Sequence, residues 1–288
     1  MALEWRPKVV KVASMRLLSD TSPEAERVLA AVHGAMSPAR KWRLLGDHYR
    51  MGRRLHEAGV RLRDPDATPA RIRDDWVATQ FGPIPRTSSR EGNRVDQPID
   101  NLRVVLEVIA AFDRLGIPYA LGGSMASSIH GIMRNTADAD ISVEPFEGLE
   151  GRLVASFGPD YYVSAEAVRQ AVRDRATFNI INTSLGFKVD VFVRKDRPFE
   201  RSLMDRRVSA TIGGESDRPI AVVSAEDSIL LKLEWYRLGG EISDRQWSDI
   251  LGVLRVQADR LDGAYLDHWA AELGVADLLA DARRDAAP

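Results

Sequence analysis

One short run constrains this chain more than any other: residues 138 to 143, DADISV, carry Asp138 and Asp140 two apart among apolar residues. In an extended strand successive side chains alternate, so this spacing turns both carboxylates to one face and Ala139, Ile141 and Val143 to the other. Such a strand needs a core on one side and, on the other, something that tolerates paired negative charge. Upstream, Leu121-Gly122-Gly123-Ser124 reads as a strand end, a tight turn and a helix start, whose unpaired backbone N–H groups suit an anion. Downstream, FKVDVFV at 187–193 alternates as well, with Phe187, Val189, Val191 and Val193 on one face and Lys188, Asp190, Phe192 and Arg194 on the other. Paired acids on a rigid strand beside an amide-rich turn form the layout that holds a nucleoside triphosphate through metal ions. Carboxylate oxygens take Mg2+, and the helix start after Gly123 takes phosphate. The expected metal ligands and catalytic acids are Asp138, Asp140 and Asp190. Ser124, Arg134 and Thr136 are expected to meet the nucleotide through hydroxyl, amide and charge-assisted contacts.

Composition narrows the metal. The chain has no cysteine, so disulfides and thiolate sites are excluded, and His33, His48, His56, His130 and His268 show no ligand spacing. A hard, oxygen-liganded ion remains: Mg2+, two ions, with Mn2+ as a substitute. The 288 residues suffice for two modest domains, and no apolar run approaches a membrane span or a signal core, so a cytoplasmic protein without membrane contact is expected. Charge is uneven along the chain. Residues 1 to 95 hold 18 Lys/Arg against 11 Asp/Glu (+7), and the rest holds 22 against 31 (−9). Halves of opposite sign can dock on each other, or the basic half can track a polyanion.

The periodicity predicts an irregular arm or strand at 1–22 and a helix over 23–36. A longer helix opens with Ser37 and Pro38 and ends at Gly59, and a third runs from Thr68 to Phe81. On the second helix Trp42, Leu45, Tyr49 and Leu55 share an apolar arc opposite Arg40, Arg43, Arg50 and Arg54. Ile72, Trp76 and Val77 face inward on the third. The Pro-, Gly- and Ser-rich stretch 82–98 reads as a linker. Beyond it, helix and strand alternate: a helix from Ile99 to Leu115, a strand from Pro118 to Leu121, a helix to His130, and the acid strand. Helices near 146–156 and 164–172, strands at 177–182 and 187–193, a hairpin at 206–223 and three or four closing helices follow. The expected fold class is α/β (α+β), a mixed sheet with a C-terminal helical cap preceded by a small all-helical domain. The domains are 1–95 and 96–288, the latter with its core at about 99–223 and its helices at about 224–288.

The residues Gly122-Gly123, Ala126, His130-Gly131, Arg134, Thr136, Asp138 and Asp140 resemble the nucleotidyltransferase superfamily pattern, in the form found in AbiEii-like and MenT-like toxins. SAEDSILLKLEWYR and SDRQWSDILGVL are similar to that group's C-terminal helices, which carry a lysine and then an aspartate; this implies nucleotide-binding roles for Lys232 and Asp249, with Lys232 as a phosphate contact. Gln246 departs from the pattern, since many relatives carry an aspartate there. The segment 36–76 is similar to small helical proteins with an AG-x-R-x-R-x-P-x-A stretch, implying a fused partner or antitoxin-like unit. Arg43 to His48 and Arg50 to His56 fit the loose Arg-to-His spacing of HEPN-type ribonucleases, although Leu44 and Met51 stand where a polar residue commonly follows the arginine.

The resemblance implies a metal-dependent enzyme that moves an NMP from an NTP to a hydroxyl, on an RNA 3′ end (tRNA included) or a protein side chain, within a toxin–antitoxin or phage-defence system. The alternative is a non-catalytic nucleotide-sensing or antitoxin-like module.

Overall fold

The computed structural model describes residues 23–81, 101–134, 136, 138–211 and 219–287. The arm at 1–22, the linker at 82–98 and the boundary between 95 and 96 lie outside the described residues. Helices α1 (Pro23–Ala35), α2 (Pro38–Arg63) and α3 (Pro69–Phe81) come first. Ser37 caps α2 as expected, its hydroxyl accepting from the Arg40 amide at 3.3 Å. Gly59 does not end that helix. Val60 lies one residue on and is buried with Ala67 and Ile72, and this apolar cluster carries α2 to Arg63 despite the poor helix propensity of glycine.

The second part follows the expected alternation: α4 (Asn101–Leu115), β1 (Tyr119–Leu121), α5 (Gly123–His130), β2 (Asp138–Val143), α6 (Glu150–Ala155), β3 (Tyr161–Val163), α7 (Ala165–Asp174), β4 (Thr177–Asn182) and β5 (Phe187–Val193). Next come α8 (Pro198–Asp205), β6 (Val208–Thr211) and β7 (Pro219–Val222), then four helices, α9 (Ala225–Leu238), α10 (Asp244–Gln257), α11 (Gly263–Glu272) and α12 (Ala276–Ala286). Neither β3 nor α8 was expected, each being too short to show a period. The turn of the β6–β7 hairpin lies outside the described residues.

All seven strands form one mixed sheet in the order β3-β4-β5-β2-β1-β7-β6. Strands β2 and β5 run parallel at its centre, flanked by antiparallel β4 on one side and antiparallel β1 on the other. The alternation read from sequence holds in both central strands. Ala139, Ile141, Val143, Phe187, Val189, Val191 and Val193 are buried on one face, and the residues between them are partly exposed on the other. Helix α4 packs against β5 and brings Val104, Val105, Val108, Ile109 and Phe112 into the core.

The first helices share that core. Trp42, Leu45 and Tyr49 of α2 belong to the same buried cluster as the sheet, and the Tyr49 hydroxyl donates to the Leu185 carbonyl at 3.1 Å. The Trp76 indole of α3 donates to the same carbonyl at 3.0 Å. Lys41, which the sequence did not single out, is buried. Its ammonium donates to the carbonyls of Ile129 and Gly131, each at 2.9 Å, at the C-terminal end of α5. Burial, and then the charge of Arg260, lowers its pKa to about 8. On the far side of α2, Arg40, Arg43 and Arg54 are exposed, while Arg50 is partly buried and pairs with Asp47.

At Gly131 the end of α5 meets α10 so closely that a Cβ would lie 2.7 Å from the Val253 amide nitrogen and 2.9 Å from the Gly252 carbonyl oxygen. Both are backbone atoms, which cannot swing away. Gly131→Ala should therefore lose about 1–3 kcal/mol of stability through overpacking, read as a lower urea midpoint with an unchanged slope. An unshifted midpoint would mean that the two helices separate freely at this contact.

Candidate active site

The parallel register of β2 on β5 sets Asp140 opposite Asp190 and Asp138 opposite Lys188, so the three expected acids lie on one face of the sheet. Asp138 is held locally, accepting a hydrogen bond from the Thr136 hydroxyl at 2.9 Å on Oδ1. Asp190 is engaged by Lys188, whose ammonium stands 2.6 Å from Oδ2, and by the Asn179 amide from the neighbouring strand. Asp140 neighbours both acids, two residues from Asp138 and in register with Asp190. Burial first, then the charges of Asp138 and Asp190, raise its pKa to about 6 against the opposing pull of Lys232 and Lys188.

The glycine turn and the acid strand are packed into each other. The Gly122 amide donates to the Asp140 carbonyl at 2.8 Å. Gly123 sits at φ +55°, and a Cβ there would lie 1.7 Å from Asp140 Oδ2. Only glycine both adopts that conformation readily and leaves room for the carboxylate, so the Asp140 side chain lies directly against the first residue of α5.

A second group of expected residues converges beside Ser124. The Arg134 guanidinium donates to both carboxylate oxygens of Asp249, at 2.6 Å and 2.9 Å, and to the Ser124 hydroxyl. The Lys232 ammonium donates to the same Asp249 at 2.8 Å. Asp249 is buried and Lys232 nearly so, and one carboxylate thus gathers two cations at the start of α5. Gln246 lies in the first turn of α10, where its backbone N–H donates to the Ser243 hydroxyl, and Asp249 follows one turn further on.

The histidines singled out in the sequence make local contacts. The His130 ring contacts the Val223 carbonyl at 2.7 Å, and burial lowers its pKa. His56 stands 3.1 Å from Asp75, with its ring edge-on to Trp76. The side chain of His48 lies outside the described residues. Sequence reasoning missed Asn179 and Lys188 as partners of Asp190. Lys188 was visible on the polar side of the 187–193 alternation, whereas Asn179 depends on the β4–β5 register, which pairs it with Asp190.

The donor set of this face is oxygen only and suits a hard dication. Among the described residues, however, no three acids or histidines stand close enough together to hold a metal ion. The carboxylate oxygens of Asp138 and Asp140 have the chemistry for such an ion, whereas Asp190 is engaged by Lys188 and Asn179. Cavities of about 660 Å³ between α1, α10, α11 and α12, and about 540 Å³ beside β6 and β7, lie away from the acids. Among the described residues no helix is long and apolar enough to cross a membrane.

No family model matches this chain, and no curated protein matches it either. Solved structures with a similar chain path include ANT(2")-Ia in complex with adenylyl-2"-tobramycin, 14% identical, covering 60% of this chain and 96% of that one at a TM-score of 0.41. An antigenic nucleotidyltransferase-like protein from Paracoccidioides brasiliensis is 18% identical and covers 64% and 92% at a TM-score of 0.40. Similarity at this level bears on neither substrate nor mechanism.

Proposed function

We propose that this chain is a metal-dependent nucleotidyltransferase, moving a nucleoside monophosphate from a nucleoside triphosphate to a hydroxyl. The observation that carries the reading is the register that opposes Asp140 to Asp190 on a face where the Gly122–Ser124 turn presses against Asp140. Asp138 and Asp140 would hold Mg2+ or Mn2+, and the crowding that raises the pKa of Asp140 is a cost that a dication relieves. Bound there, the ion would offset triphosphate charge and make an attacking hydroxyl more acidic.

The remaining work falls to side chains. Asp190, freed from Lys188, accepts the hydroxyl proton on a carboxylate oxygen. The acceptor oxygen bonds to the α-phosphorus as the bond to the β-phosphate bridge breaks and pyrophosphate leaves. Ser124, Arg134 and Lys232 stabilise the leaving phosphates, and Thr136 fixes the Asp138 carboxylate. Asp249 is a positioning residue in this reading: it holds Arg134 and Lys232 together beside Ser124.

We take an RNA 3′ end, tRNA included, as the acceptor, because the exposed Arg40, Arg43 and Arg54 on α2 offer phosphate contacts to a polyanion. In this reading residues 1–95 supply RNA contacts and residues 96–288 the chemistry. The toxin-type resemblance adds growth arrest on expression as the cellular counterpart. The test is incubation with each α-labelled NTP, Mg2+ or Mn2+, and total RNA or lysate. Label is expected in RNA. Label in protein would move the acceptor, and no label in any fraction would overturn transfer in favour of a nucleotide-sensing module.

A further inference from the structure

The polar face of the sheet continues past the acids. The alternation that turns Asp190 to that face turns Phe192 to it as well, two residues further along β5 and so about 7 Å away. Against Phe192 stands Trp235 of α9, with ring centroids 6.4 Å apart and ring planes at 63°. Trp235 follows Lys232 by three residues, which sets the two side chains on neighbouring turns of one helix face. Lys232 lies at the acid end, where its charge acts on Asp140. One helix therefore delivers an ammonium to the phosphate end of this face and an indole to the end beyond Asp190.

That indole is not finished by the fold. Trp235 keeps 51% of its surface in solvent, and Leu238 (71%) and Ile242 (83%) continue the exposed apolar line. Its neighbour Glu234 pairs with Arg197 at 2.6 Å, which anchors this stretch of α9 to the segment following β5. The indole is thus held in position while half of it remains uncovered. The interval between the acid row and the aromatic pair is one strand repeat, the span that a ribose fills between an α-phosphate and its base.

We propose that Trp235 and Phe192 form the seat on which the nucleobase of the triphosphate stacks. This rests on the nucleotidyl-transfer reading and names the residues that take the base. Stacking on an indole accepts every base, since each has a π-face, so the pair holds the base without selecting it.

The test is calorimetric titration of the full chain, wild type, Trp235→Ala and Trp235→Tyr, with each of the four ribonucleoside triphosphates and with inorganic tripolyphosphate, all with Mg2+. Trp235→Ala should weaken nucleotide binding by roughly ten- to a hundredfold, leave tripolyphosphate binding unchanged, and be largely rescued in Trp235→Tyr. Wild-type nucleotide affinity in Trp235→Ala would overturn the stacking seat and leave the transfer reading standing. Equal losses for nucleotide and tripolyphosphate would overturn it too, because the indole would then be shaping the phosphate end. A wild type that binds none of these probes defeats the transfer reading, and the stacking seat with it.

Discussion

Asp140→Asn should abolish transfer and yet give a protein more stable at neutral pH than the wild type. The carboxyl is buried against Gly123 among the charges of Asp138 and Asp190, and its pKa rises from 3.8 to about 6. A carboxyl with a raised folded-state pKa adds stability that is fully present below its unfolded value, near 4. That stability is lost as pH climbs through about 6. Above that pH the ionised group costs up to about 3 kcal/mol, which an uncharged amide of the same shape does not incur. Urea unfolding from pH 4 to 8 should show the wild type losing stability across that window and the variant losing much less. Transfer should fall by a hundred- to a thousandfold or more, because an amide is a poor ligand for a hard dication and the charge opposite the phosphates is gone. Labelling at wild-type rates would remove Asp140 from the mechanism. A variant less stable than wild type at pH 7 would mean that the carboxylate is a structural partner.

Asp249→Ala should have the opposite effect on stability. It removes a carboxylate that Arg134 and Lys232 share and leaves a buried ammonium beside a partly buried guanidinium. Removing one partner of a buried ion pair costs about 3–5 kcal/mol, corresponding to roughly 10 °C in melting temperature for a chain of this size. Lys232→Met should cost less, since Asp249 keeps both hydrogen bonds from Arg134. Thermal melts of the two variants give the ordering directly. A melting point for Asp249→Ala within about 2 °C of wild type would mean that water screens the cluster, and the positioning role of Asp249 would go with it.

These two residues differ in how legible they were. Asp140 announces itself through a local rule, because an acid two residues from another on an apolar strand cannot point into the core. Asp249 does not. It sits on a helix with Ile250 and Val253, and only the resemblance to other chains drew attention to it. Nothing in its sequence neighbourhood names Arg134, 115 residues away, as its partner. Lys41 was harder still. Beside an arginine stripe it reads as one more surface cation, but in the fold it is buried at the end of α5, where two backbone carbonyls need a donor. Gly59 misled in the other direction. It is a poor helix residue, yet helix breaking is a weak local preference, and the burial of Val60 against Ala67 and Ile72 overrides it.

By itself the sequence determined what depends on near neighbours: the period of the longer strands and helices, the Ser37 cap, the two-faced character of β2 and β5, and the turn at Gly122–Gly123. These follow from backbone geometry and from which side chains avoid water, and both act within a few residues. The tertiary structure decided everything that needed a register or a distant partner. The parallel pairing of β2 with β5 chose Asp190 as the neighbour of Asp140, and the antiparallel pairing of β4 brought Asn179 onto it. The placement of α9 set Trp235 against Phe192. Strand alternation repeats every two residues, so it states which face a residue occupies but not which strand lies alongside. That choice is made only when the apolar faces of the whole chain are buried together.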